Sequence, residues 1–352
     1  MLAQIYTLSA LLLGCTTACN IFLPLAVSDD PPVLPVPASS LITQITWDEV
    51  DSIVRAASGS DNWPLTWASD GDLYTTYGDG NGFEPQIDTK LSLGFAKVTG
   101  GPEDFVGINI RSEDEQFGGG ASGKKASGML MVDEILYMWV RNADNNGRGC
   151  QLAWSSDSAV SWTWSEWTFT DFGYCTFINF GSNYEGALDE YVYMVTPDSP
   201  SAYDPADDFV LTRVHKEKIT VRDEYEFFVA LDGDIPQWSD DITSRGSVFS
   251  NPGGVRRSGI SYNAGLERFL WWQGLPDPNQ DQRYEGGFGV YDAPTPWGPW
   301  TTAYFTAEWD VGPGETGSFP TKWMSDDGQT IYLVFSGDDY FAVRKATLTV
   351  AE

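Results

Sequence analysis

The stretch MLMVDEILYMWVRN at residues 129–142 is two apolar runs broken by two acidic residues. Such runs read as strands, and a connection this short between them reads as a hairpin. The same texture recurs in WASDGDLYTTYGDG (67–80), EGALDEYVYMVTPDS (185–199), ISYNAGLERFLWWQG (260–274) and WMSDDGQTIYLVFSGDD (323–339). Each reads as strand, short turn, strand. The five units start at residues 67, 129, 185, 260 and 323, at spacings of 62, 56, 75 and 63. Near-regular hairpins at that interval are the mark of radial repetition, because a four-stranded propeller blade with its loops fills the length. The expected fold is all-β, a β-propeller of five blades. Six or seven blades would require AWSSDSAVSWTWSEW (153–167) or FGVYDAPTPWGPWTTAYF (288–305) to found blades of their own.

Composition agrees. The 352 residues include 36 Gly and 20 Pro, a turn-rich count, and 15 Trp, 16 Tyr and 19 Phe, enough for a sizeable core. Fifty Asp and Glu face twenty Lys and Arg, for a formal charge of −30. Neutralising a phosphate backbone needs a basic face, so a nucleic-acid partner is excluded.

Residues 2–14 form an apolar run of signal-peptide length, too short to span a bilayer. Leu12-Leu13-Gly14-Cys15 resembles a bacterial lipobox, although no Lys or Arg precedes the run; the alternative is an ordinary secretory signal cut near Cys19. The expected organisation is a signal at 1–19, a flexible tether at 20–40 and a propeller domain at 41–352. The protein is then extracellular or at the cell surface, touching a membrane only through a lipid on Cys15. Cys150 and Cys175 remain in the mature chain, and an exported pair is free to form a disulfide. Two Cys and one His cannot supply a structural zinc set. No cofactor is required; calcium is the one cation that the Asp-rich turns at 69–72 and 325–328 suit, without DxDxDG spacing.

The single His215 lies in the charge-dense RVHKEK stretch and reads as a solvated turn, which leaves carboxylates, Tyr and Lys for acid–base work. In an acidic, aromatic-rich exported chain this points to glycan chemistry. Asp61 precedes the LYTTY strand and Asp79 follows it, so antiparallel pairing carries both to one end of the hairpin; as turn-capping aspartates both would be unremarkable. Glu315, in the Gly-rich loop before Trp323, is a third acid. Lys125, Arg141 and Arg256 stand at strand ends and Lys322 in the same loop as Glu315, placed to grip carboxylates or hydroxyls or simply to balance nearby acids. Trp63, beside Asp61, is the chosen sugar platform, ahead of Trp67, Trp271 and Trp272.

Three segments resemble known families. SSDSAVSW at 155–162 resembles the Asp-box turn of sialidase-like propellers, with Ala159 in place of Gly, and PWGPW at 296–300 resembles a turn of propeller glycosidases. The Asp61 loop, the hairpin and Tyr77-Gly78-Asp79-Gly80 resemble the start of a bacterial domain family, formerly of unknown function, whose propeller members include endo-D-arabinan hydrolases. That resemblance implies a catalytic pair at Asp61 and Asp79. Gly80 stands where that family often has Thr.

The chain is thus expected to be a glycoside hydrolase acting on a polysaccharide. One rival is a polysaccharide lyase, with Arg141, Lys125 or Arg256 neutralising a uronate and a Tyr or Lys removing the C5 proton. The other is a non-catalytic glycan-binding propeller.

Overall fold

The computed structural model describes residues 33–351, so the signal, the lipobox and Cys15 lie outside the described residues. Strands and short 3₁₀ turns account for all regular structure among them. The strands follow one another as antiparallel groups. The first holds Leu65–Trp67, Leu73–Tyr77, Gly94–Thr99 and Val106–Ile110. The second holds Lys125–Val132, Ile135–Arg141, Cys150–Ser155 and Thr163–Phe169. The third runs from Thr176–Asn179 through Tyr191–Pro197 and Ala206–His215 to Glu226–Asp232 and Ile235–Ser239. The fourth holds Ser258–Asn263, Arg268–Gly274, Phe288–Ala293 and Thr301–Thr306. In the last, Gly317–Ser318, Thr330–Phe335 and Phe341–Val350 are completed by the early strand Ile42–Trp47. Parallel pairing of Ile178 and Asn179 with Ile260 and Ser261 joins the third and fourth groups.

Burial closes these groups into a ring. Apolar clusters lie between the first and second groups (Phe95 with Met129 and Met138), across the second to fourth (Trp139, Phe177, Phe209, Trp271), and between the fourth and last (Leu270, Phe288, Ile331, Leu333). A further cluster packs Leu65 and Leu73 of the first group against Val334, Phe341 and Val343 of the last. The fold is an all-β propeller. The inner strands approach so closely that side chains are excluded at some positions. A Cβ on Gly128 would lie 2.9 Å from Thr176 Cα, and one on Gly259 would lie 2.2 Å from the Gly317 carbonyl oxygen.

Two expected hairpins are single strands. In 185–199 only Tyr191–Pro197 is extended; Leu188 is exposed, and Asp189 ends the preceding turn by accepting from the Tyr191 amide and the Tyr193 hydroxyl. The inner strand of that group is Thr176–Asn179. In 323–339 Trp323 closes a 3₁₀ turn, Asp327 holds the next turn, and only Thr330–Phe335 is a strand. Segments 153–167 and 288–305 are outer hairpins of the second and fourth groups and found no blades of their own. In the first of these, Ser158 and Ala159 both adopt positive φ and Asp157 accepts from the Ser161 amide and hydroxyl, so the Asp-box-like segment is a turn device. Within the segment expected as a tether, Val36, Pro37 and Ser39 bond to Thr302 of an edge strand. Cys150 and Cys175 are buried, unbridged thiols, with the Cys175 amide donating to Cys150 Sγ at 3.1 Å.

Gly259→Ala is expected to cost about 1–3 kcal/mol through overpacking at the axis. A lower urea midpoint with unchanged slope would show it.

Candidate active site

The residues that lead into the inner strands gather at one end of the ring. They are Asp61 to Trp63 before the first, Lys125 at the start of the second, Tyr174 before the third, Arg256 and Arg257 before the fourth, and Glu315 before the last. Above them is a cavity of about 470 Å³ lined by Asp61, Asp79, Glu315, Asp339, Lys90 and Arg283, among others. The structure therefore brings the three candidate acids together.

Asp61 and Gly78 exchange backbone hydrogen bonds of 3.0 and 2.7 Å, which sets Asp79 next to Asp61. Gly78 is needed there, since a Cβ would reach 3.0 Å from Asp61 Oδ1 and 3.2 Å from the Ser92 carbonyl oxygen. Asp79 has φ 44°, and Gly80 after it has no room for Thr, because a Cβ would lie 2.1 Å from Ser60 Oγ. The packing of this loop thus excludes any side chain at position 80. The last group meets the same loop through the Asp339 carbonyl, which accepts from the Gly59 and Ser60 amides at 2.7 and 3.1 Å.

The acids differ in electrostatics. Asp61 is buried, its Oδ1 has no hydrogen-bond partner, and its pKa is pushed up to about 7 by burial, then by Glu315 and Asp79, against Lys125 and Arg141. For Glu315 burial also acts upward, but Arg257, Arg141 and Arg256 outweigh it and hold its carboxyl at about 2. Glu315 accepts from Arg257 Nη1, and its amide donates to Ser336 Oγ at 2.9 Å. Asp79 is ion-paired with the buried Lys125, which lies opposite Arg141 across adjacent strands. Asp339 is raised by burial, against the Arg283 charge.

Other expected site residues are elsewhere. Trp63 is core, 2% exposed, against Tyr77, Phe83 and Phe341, its Nε1 donating to the Tyr340 carbonyl at 3.0 Å. It faces inward because it leads directly into an inner strand. Trp271 and Trp272 are fully buried. Lys322 sits 3.7 Å from Asp72, at the other end of the first hairpin from Asp79, in a separate cavity that Trp67 also lines. The turn at 69–72 holds a lysine: Asp70 and Asp72 pair with Lys97 at 2.9 and 2.8 Å. Among the described residues no group of three or more His, Cys, Asp or Glu is arranged for a metal. His215 accepts from the Glu217 amide in the turn that ends its strand.

Sequence reading missed Lys90, Asp281 and Arg283, which line the pocket, and Tyr174, which leads into the third inner strand. Tyr174 was hidden because the third inner strand was expected about ten residues too late. The DQR run at 281–283 is a charge signal in a loop, and Arg283 pairs there with Asp281 at 2.6 Å.

No family model matches the chain, and no curated protein matches it. Among solved structures, it is similar to the RS223 beta-xylosidase, with a TM-score of 0.48 and 13% identity over 84% of this chain and 94% of that one. It is also similar to a GH43_1 enzyme from Xanthomonas citri (TM-score 0.46, 12% identity, 86% and 94% covered). A third is the catalytic domain of a GH62 alpha-L-arabinofuranosidase from Coprinopsis cinerea (TM-score 0.47, 9% identity, 91% and 99% covered). At these identities the likeness says nothing of the site.

The raised pKa of Asp61 has a consequence for stability. Below about pH 4 the group is protonated folded or unfolded; between that point and about 7 the unfolded chain ionises first, so stability falls as pH rises. Asp61→Asn removes this loss. Its stability relative to the parent is expected to improve by a few kcal/mol between pH 4 and pH 8, as read by urea unfolding.

Proposed function

We propose that the chain is an exported glycoside hydrolase that cleaves a polysaccharide on a five-bladed propeller, one blade for each antiparallel group. The observation that carries the reading is a buried Asp61, with no cation in contact and its pKa raised, beside an Asp79 that is ion-paired with Lys125 in the same pocket. A buried carboxyl with a raised pKa in a pocket is a candidate general acid. Asp61 keeps its proton up to about pH 7 and donates it to the leaving glycosidic oxygen. Asp79, the carboxylate paired with Lys125, acts on the other side, as base on water or as nucleophile at the anomeric carbon. Glu315 stays ionised against Arg257 and helps keep Asp61 protonated. The resemblance to endo-D-arabinan hydrolases supports the Asp61 and Asp79 pair, and the apolar leader at 2–14 supports export, with Cys15 as the lipid attachment point.

The lyase reading is weaker because its bases are not free. The Lys125 ammonium is buried and ion-paired, and burial raises the Tyr174 hydroxyl's pKa.

Incubation with a panel of polysaccharides that includes D-arabinan is expected to release reducing ends without unsaturated-uronate absorbance. Asp61→Asn and Asp79→Asn should each lower the rate by about 10²–10⁴-fold. Full activity of both variants would rule out the Asp61 and Asp79 pair, glycan retention without either product would leave a glycan-binding module, and absorbance in place of reducing ends would establish a lyase.

The same assay across pH should show the rate falling above about 7, as Asp61 loses its proton. Glu315→Gln removes a charge that raises Asp61, so this limb should move to lower pH; an unmoved limb would exclude Asp61 as the acid.

A further inference from the structure

In a chain with fifty acids and twenty cations, the acid pocket is backed by three guanidiniums that share one carboxylate. Arg141 and Arg257 are 0% and 2% exposed, and Arg256 is half-buried. All three act on Glu315, yet only Arg257 is ion-paired with it. Arg141 has the Asn62 side-chain oxygen at 3.5 Å, and Arg256 has Gln282 Oε1 at 3.5 Å. Neither forms an ion pair among the described residues. Nε and Nη1 of Arg141, Nε of Arg256, and Nε and Nη2 of Arg257 have no hydrogen-bond partner.

Burying a guanidinium is costly unless it is paired and hydrogen-bonded. Aromatic faces offset part of this: Arg141 and Arg257 lie 5.5 and 5.6 Å from the Tyr203 ring centre, and Arg141 lies 5.8 Å from that of Tyr174. Rings supply no planar acceptor, however, and the cations crowd one another. Burial first, then Arg257 and Arg141, lowers the pKa of Arg256 to about 10. Lys125 and Arg283 are already matched by Asp79 and Asp281, and Asp61, with its pKa raised to about 7, carries only part of a charge near neutral pH. The back of the pocket is therefore positive inside a negative molecule. The overall charge is screened beyond about 8 Å at physiological ionic strength, so the local field governs what the pocket holds.

We propose that the pocket takes a saccharide bearing an oxyanion, a uronate carboxylate or a sulfate ester, and that Arg256 is the specificity-determining residue that holds it. A guanidinium fork matches a planar oxyanion in a bidentate way. Arg256 is the one of the three that is not fully buried, and it contacts Gln282 between the pocket-lining Asp281 and Arg283, with Arg141 and Arg257 supplying the field behind it. The inference rests on reading the pocket as a saccharide site, and does not depend on the hydrolytic step.

The test is affinity electrophoresis of the full chain, Arg256→Gln and Arg256→Lys through gels containing polygalacturonate, its fully methyl-esterified form, dextran sulfate or dextran. Reducing ends are recorded on the same polymers. Retardation by polygalacturonate or dextran sulfate, and not by its neutral counterpart, is expected. Arg256→Gln should weaken it roughly tenfold or more, the loss of a charge-assisted contact, and Arg256→Lys should fall between. The acidic polymer that retards the chain distinguishes carboxylate from sulfate. Equal retardation by charged and neutral forms, no retardation by either acidic polymer, or an Arg256→Gln variant that behaves as the parent would each overturn the inference. Cleavage of a neutral glycan by a fully active Arg256→Gln would sink it while leaving the hydrolase standing. Arg256-dependent retardation without any reducing ends would do the reverse.

Discussion

The packing of the first sheet group against the last is the contact on which everything else depends. Leu65 and Leu73 lie against Val334, Phe341 and Val343, and Trp63 bridges the seam through its Nε1 bond to Tyr340 and its edge contact with Phe341. Apolar burial here joins chain segments more than two hundred residues apart and turns a row of antiparallel groups into a ring. Only in a ring do the residues that lead into the inner strands share one end. Asp61 and Glu315 come from the two groups that meet at this seam, so the charge coupling between them exists because the ring is closed.

The sequence made the fold legible where hairpins are local. MLMVDEILYMWVRN and ISYNAGLERFLWWQG contain two strands and their turn within fifteen residues, and both fold as read. Reading failed where the inner strand is short and its partner distant. Thr176–Asn179 and Gly317–Ser318 hold too few residues for a period-2 pattern, and long-range pairing defines them. The site was legible to the same degree. Asp61 and Asp79 flank one hairpin, so local pairing brings them together. Glu315 was read only as an acid in a Gly-rich loop; its ion pair with Arg257 spans 58 positions and has no local signature. Trp63 misled because its neighbour Asp61 faces the cavity. Period-2 alternation would put Asp61 and Trp63 on one face, but Asn62 between them has φ 67°, so the backbone is not extended there, and Asp61 lines the pocket while Trp63 enters the core.

The chemistry of the pocket comes from unequal distribution of few cations. Lys125, Arg141, Arg256 and Arg257 stand close behind three acids, and the differences among those acids follow from which cation each one touches. Arg257 reaches Glu315, Lys125 reaches Asp79, and Asp61 is left with none in contact. A buried carboxyl without a cation in contact is more stable with its proton. The protein's large negative charge sets this background, and local pairing selects which carboxyl departs from it.

The close approach of the inner strands also fixes the traffic of ligands. Where Gly128 and Gly259 face their neighbours without side chains, the cavity between the inner strands holds only about 20 Å³, room for about one water molecule. The ring is plugged rather than tubular. Whatever the acid pocket binds must therefore enter and leave by the same mouth.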